Sequence, residues 1–179
     1  MNGIKAIYSE HRTHYLNTFP KIKSFFEESR LRMFLLRVVS KYMTWGMYGA
    51  YAILLVWLIR NLTLINAIKC AVIPFAVFIV TTVVRDSINA PRPYELSEIQ
   101  PVFPKSTKGH SCPSRHTACA FAVALAWCSV YPEPGMILCM CAVLIASSRS
   151  AVGVHFPLDV LFGAFIAFTL NIPCIFMGK

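Results

Sequence analysis

His155 and Asp159 stand four residues apart in the stretch from Ser148 to Asp159, and Pro157 between them opens an apolar run. If that run is a helix, Asp159 falls in its first turn and its carboxylate reaches back to His155. A carboxylate on one imidazole nitrogen fixes the tautomer and leaves the other nitrogen as a nucleophile or base. Asp159 would also complement a helix dipole, but that role does not explain why His155 and Arg149 sit beside it. A second cluster is Cys112-Pro113-Ser114-Arg115-His116. Pro113 suits the first position of a helix and would leave the Ser114 and Arg115 backbone N–H groups to bind an anion. Taken alone, a histidine at a helix end is more often structural than catalytic. The third cluster is Arg85, six residues, then Arg92-Pro93. Seven positions make two helical turns, so both guanidinium groups could face one way, although Pro91 and Pro93 favour an extended exit.

These clusters need elements to hold them, and composition selects the class. The chain has 179 residues, 56% hydrophobic and 14% charged, which is too apolar for an ordinary soluble domain. Lys and Arg number 17 against 8 Asp and Glu. Such an excess calls for an anionic partner, and in a chain this apolar an anionic lipid or a phosphorylated lipid substrate fits better than nucleic acid. The seven cysteines form no CxxC pair, so neither a disulfide scaffold nor a zinc site is expected.

Five apolar segments approach the ~20 residues that cross a hydrocarbon core: 42–59, 62–84, 113–130, 135–147 and 157–176. The fourth is short and must borrow from its flanks. Ahead of them, residues 1–41 carry eight Lys or Arg and no signal-peptide pattern. Apolar residues in the stretch from about Phe25 to Val39 recur at helical spacing with charges opposite, which predicts an amphipathic helix on the membrane surface. A span is disfavoured there, because each central arginine costs about 2.5 to 3.5 kcal/mol to insert. The fold class is therefore all-α: an integral membrane bundle of about five transmembrane helices (42–179) behind a basic N-terminal segment with a surface helix (1–41). The tight links at 60–61 and 131–134 make neighbouring helices antiparallel, and the long loop 86–112 is of the kind that carries function. Alternating spans bring the end of the second, the start of the third and the fourth-to-fifth link to one side, so the three clusters converge.

Together they resemble the type 2 phosphatidic acid phosphatase (PAP2) superfamily, whose motifs are KxxxxxxRP, PSGH and SRxxxxxHxxxD. Here these read Arg85 to Pro93, Pro-Ser-Arg-His at 113–116, and Ser148 to Asp159. The third matches at every defined position. Arg85 replaces the usual lysine with a planar cation, and Arg115 replaces glycine; its side chain is expected to point to headgroups or solvent, since the family leaves no room for one.

The resemblance implies that His155 attacks phosphorus to form a phosphohistidine, that Asp159 orients it, and that His116 protonates the leaving oxygen and then deprotonates water. It implies that Arg85, Arg92, Ser114, Arg115, Ser148 and Arg149 hold the phosphoryl oxygens, with no metal and no cofactor. The partner implied is a lipid phosphate of the phosphatidate, phosphatidylglycerophosphate or polyprenyl diphosphate class, met in the cell membrane, and no nucleic acid. His110 is a further candidate for a phosphate or headgroup contact. The competing reading is a catalytically impaired lipid-binding protein on the same bundle, which Arg115 alone invites. The basic N-terminal segment argues that the N-terminus, and with it the three clusters, lies on the cytoplasmic side, whereas the resemblance argues for the outer face, where bacterial members commonly work; the expectation drawn is the cytoplasmic side.

Overall fold

A computed structural model describes residues 2–61, 64–96 and 99–177 of the chain, and among them every regular element is a helix. The elements are α1 (Asn2–Glu27), α2 (Arg30–Arg37), a π-helical turn (Val38–Met43), α3 (Thr44–Asn61), α4 (Leu64–Ile88), the short α5 (Pro93–Leu96), α6 (Arg115–Val130), α7 (Pro132–Ala151) and α8 (Pro157–Met177). The five predicted apolar segments correspond to α3, α4, α6, α7 and α8. As expected, α7 draws on its flanks, beginning on Pro132 at a tight turn. Leu62 and Thr63, with which the second apolar segment was expected to begin, lie outside the described residues.

α6 is the central rod. Small residues run through it, and Ala118, Ala122, Ala124 and Ala126 are fully buried, so α4, α7 and α8 approach it closely and α3 covers a further side. A helix of 16 residues suffices there because it is sheathed by other helices. Among the described residues, Arg30–Asn61, Ala71–Leu96 and Pro132–Ala151 are long and apolar enough to cross a membrane, with Pro157–Ile172 a shorter apolar helix. Outward-facing Ile59, Met140 and Phe165 are exposed, as a lipid-facing surface requires.

The N-terminal part differs from expectation. The amphipathic stretch 25–39 is not a separate surface helix, because α2 continues through the π-helical turn into α3 as one helical stretch, Arg30–Asn61. Its arginines crowd the first turns, where long side chains reach polar surroundings. Ahead of it α1 runs for 26 residues despite Pro20, breaking only at 28–29. It is anchored by Tyr15 and Phe19, buried with Phe156 in one cluster.

Candidate active site

A polar cavity of about 670 Å³ opens where α4, α6, the π-helical turn and the 152–156 loop meet, and Arg85, Arg92, Arg115, His116, Arg149 and His155 all line it. Three clusters separated by up to seventy residues therefore share one chamber, as antiparallel counting predicts. No aspartate or glutamate lines it among the described residues.

His155 is held in the loop between α7 and α8. Val152 and Val154 pack with Leu36 of α2, Phe156 packs with Tyr15 and Phe19 of α1, and Val102 N–H donates to the Val152 carbonyl at 2.9 Å. Its Nδ1 lies 3.9 Å from Asp159 Oδ2, with both side chains buried. The carboxylate does reach back, but its short bonds go elsewhere: Oδ2 accepts from the Ser111 hydroxyl at 2.5 Å and from Phe156 N–H at 3.0 Å. The Asp159 carboxylate is thus held by the Ser111 hydroxyl and the Phe156 N–H, with the imidazole beside it. Burial holds the His155 pKa well below the usual histidine value, helped by Arg92, Arg85 and His116, with the Ser111 backbone acting the other way. Burial and the neighbouring cations thus both favour the neutral ring.

The second cluster departs from the sequence reading in one respect. The Cys112–Pro113 peptide is cis, and α6 begins at Arg115 with Ser114 as its N-cap. The Ser114 N–H is not left for an anion: it donates to the Asp159 carbonyl at 2.8 Å, and its hydroxyl accepts from Thr117 at 3.1 Å. Gly163 makes this approach possible, since a Cβ there would stand 2.5 Å from the Ser114 carbonyl oxygen. Ser114 consequently ties the start of α6 to α8 from within the wall. Ser148 also lies in the wall, its hydroxyl donating to the Ile145 carbonyl at 2.7 Å. His116 lines the chamber with its Nδ1 buried and without a hydrogen-bond partner.

Arg85 and Arg92 are buried. Arg92 is set by its Nε donating to the Gly109 carbonyl at 2.9 Å, while Glu95 accepts from the Arg92 and Gly109 N–H groups at 3.0 and 2.7 Å. Arg149 donates to Thr44 Oγ1 at 2.8 Å and to the Ser40 carbonyl. Arg115 does not point away to solvent: it lines the chamber with its guanidinium 5.3 Å from the centre of the Phe78 ring, a cation–π distance. The side chain finds room by lying against α4. His110 takes another direction, its Nδ1 3.1 Å from Asp86 and its N–H on Asn89 at 3.2 Å, so it fastens the loop to the end of α4 and is not among the lining residues.

Sequence reasoning missed Ser111, although it adjoins the second cluster, as well as Arg37, Lys41, Thr44 and Lys105 on the chamber wall. An apolar slot of about 220 Å³ adjoins the chamber; Met47, Tyr51, Phe75, Phe78 and Val123 line it, and Thr44, Tyr48 and His116 are shared by both spaces. Cations on one side of His116 and hydrocarbon on the other suit a molecule with an anionic head and an apolar tail.

Known proteins resemble this chain in sequence family and in fold. A family model described as the PAP2 superfamily matches residues 64–177. Among solved structures, LpxE of Aquifex aeolicus is similar at 24% identity and a TM-score of 0.57, over 80% of this chain and 93% of that one. The first transmembrane PAP2 type phosphatidylglycerolphosphate phosphatase from Bacillus subtilis is similar at 18% identity and a TM-score of 0.53, over 94% of each chain. No curated protein matches at a significant level.

Proposed function

The chain belongs to the PAP2 superfamily and is a membrane phosphatase of that type, and we propose that it removes a terminal phosphate from a membrane lipid through a phosphohistidine on His155, without a metal ion. The observation that carries this is the joint presence of His155, His116 and the arginines Arg85, Arg92 and Arg149 in one chamber that opens beside an apolar slot. The imidazole nitrogen opposite Asp159 attacks phosphorus, the P–O bond to the lipid breaks, and His116 delivers a proton to the departing oxygen. Water then attacks the phosphohistidine, giving its proton to His116, and inorganic phosphate leaves. The three arginines bind the phosphoryl oxygens and stabilise the charge that gathers on them in the transition state. Asp159 favours the positive charge that develops on the imidazole.

Purified protein in detergent should release phosphate from a short-chain lipid phosphate at an unchanged rate in EDTA, and vanadate should block it by imitating pentacoordinate phosphorus. Loss of activity in EDTA with recovery on adding Mg²⁺ would overturn the electrostatic account; no release from any lipid phosphate would favour a binding protein.

The environment of His155 also sets a pH dependence. A histidine whose pKa is lowered stays neutral to a more acid pH, so the acid limb contributed by His155 lies below the ordinary value of about 6.5. Removing a cation that depresses it raises that pKa, so Arg92→Gln should move the acid limb of the kcat/KM profile upward in pH, besides lowering its height. A limb that stays in place would mean that His155 does not set it.

We further place the chamber on the cytoplasmic side of the membrane. Orientation follows Lys and Arg near span ends, and the basic N-terminal segment lies at the same end of the bundle as the chamber: Tyr15 donates to the Ser150 carbonyl at 2.6 Å, and the π-helical turn lines the cavity. Cys112 is buried and would not report on this question, whereas Ser106 in the same loop is exposed. In a variant whose only cysteine comes from Ser106→Cys, a membrane-impermeant thiol reagent should label only after permeabilisation. Labelling in intact cells would put the chamber outside.

A further inference from the structure

The chamber holds more positive charge than one phosphate requires. A phosphomonoester carries at most two negative charges, and the buried or half-buried Arg85, Arg92 and Arg149 already exceed that number. Arg37, Lys41 and Lys105 also line the same space, and all three are exposed, unlike the first three. Among the described residues no carboxylate lines the space to offset them. Like charges gathered in this way repel one another, and an anion between them relieves the repulsion. Lys105 registers the crowding: burial, followed by Arg92, Arg149 and Arg85, lowers its pKa.

The exposed cations are also built in. Arg37 is placed with its guanidinium 5.3 Å from the centre of the Phe103 ring. Lys41 lies in the π-helical turn and Arg37 is the residue that caps its start; the Ser40 carbonyl in the same turn accepts from Arg149, so the turn is bonded to an arginine of the inner group. π-helical turns recur at functional sites because they re-aim side chains. A volume of about 670 Å³ is in the range that takes a ligand of many atoms, far more than a lone phosphate fills.

We propose that Arg37, Lys41 and Lys105 form a second anion subsite, which receives a further phosphate of the lipid substrate while the inner arginines hold the phosphate being removed. This rests on the reading of the chamber as the lipid phosphatase site. The second phosphate belongs either to a diphosphate or to a separate phosphodiester on the same headgroup, and the chemistry of recognition is shared.

The test compares kcat/KM for three lipids on the purified full chain: a monophosphate, a diphosphate, and a phosphomonoester whose headgroup also bears a phosphodiester. In Arg37→Gln and Lys105→Gln, kcat/KM for at least one of the two doubly charged lipids should fall about fivefold relative to the monophosphate, the upper end of the scale for a charge pair at an exposed site. The lipid that loses more identifies the source of the second phosphate. Equal losses on all three lipids, removed by high salt, would make these cations a steering field and overturn the subsite. Unchanged ratios, or a wild type that turns over only the monophosphate, would overturn it too. Wild-type protein that hydrolyses none of the lipids would instead fail the reading of function. In that case the subsite is still tested by thermal midpoints: inorganic pyrophosphate should stabilise wild type more than phosphate does, and the two variants should lose that preference. Retention of the preference in both would overturn the proposal.

Discussion

His155→Ala is expected to lower the rate of phosphate release by at least about a thousandfold, roughly 4 kcal/mol at about 1.4 kcal/mol per factor of ten. Without the imidazole the covalent route is gone, and arginines that bind the phosphoryl group have nothing to transfer it to. His116→Ala should be nearly as damaging when the leaving group is a poor one, because the departing alkoxide then lacks its proton. Asp159→Asn should be milder. The carboxylate stands 3.9 Å from His155 Nδ1 and is held by Ser111 and Phe156, so its loss weakens the stabilisation of the imidazolium and loosens the loop without removing the nucleophile. Ser111→Ala, which deletes one donor to the Asp159 carboxylate, should be milder still. Such effects are differences and do not add. Trapping gives the direct check: an acid-labile phosphoryl group should appear on wild-type protein mixed with substrate and be absent from His155→Ala. Retention of more than about a tenth of the wild-type rate by that variant, a loss below about 1.4 kcal/mol, would falsify the assignment.

The parts of this site legible in the sequence are those whose side chains act at the chamber. Arg85, Arg92, Arg115, His116, Arg149 and His155 were each marked by spacing and by position near a helix end, and each lines the cavity. Helix count and antiparallel order followed from apolar runs and tight links, because a span's length is imposed by the bilayer. What escaped depends on the fold as a whole. Ser111 contacts a residue 48 positions away, and no local pattern encodes that. Ser114 was assigned a free N–H, yet the close approach of α8 at Gly163 supplies the Asp159 carbonyl as its acceptor. Arg115 was expected to turn outward because its position suits glycine, but the face of Phe78 accommodates it. The N-terminal helices escaped for a different reason. Polar residues and Pro20 interrupt α1, and its tie to the bundle rests on a few aromatic residues whose partner, Phe156, lies well over a hundred residues away. The contribution of Lys41 and Arg37 to the chamber depends in turn on α2 running unbroken into α3.

Gly153→Ala should cost nearly as much activity as the loss of a chamber residue, although Gly153 is not one of the residues lining it. Gly153 has φ +86°, where an L side chain is strained by about 1 to 3 kcal/mol. An added Cβ would also stand 2.5 Å from Phe19 Cζ and 2.9 Å from Cε2. Phe19 cannot give way easily: it is 1% exposed, with Tyr15 at a 5.7 Å ring separation, and overpacking a filled site adds about 1 to 3 kcal/mol. The strain falls two residues before His155, in a loop held on one side by α1 and on another by the bond from Val102 to Val152. The loop is the softest of these elements, so it should move, and a displacement of the imidazole by about 1 Å suffices for a loss of about a hundredfold. The expected result is a fall in kcat of that order with a smaller change in KM, together with a lower thermal midpoint. A second substitution separates the two causes. Phe19→Leu in the Gly153→Ala background removes the clash but leaves the φ strain, so it should restore part of kcat while lowering it when made alone. The coupling energy of the pair should therefore be favourable and well outside the additivity expected of independent sites. If the two losses simply add, Phe19 and Gly153 do not meet as described, and the bracing of the His155 loop by α1 must be abandoned.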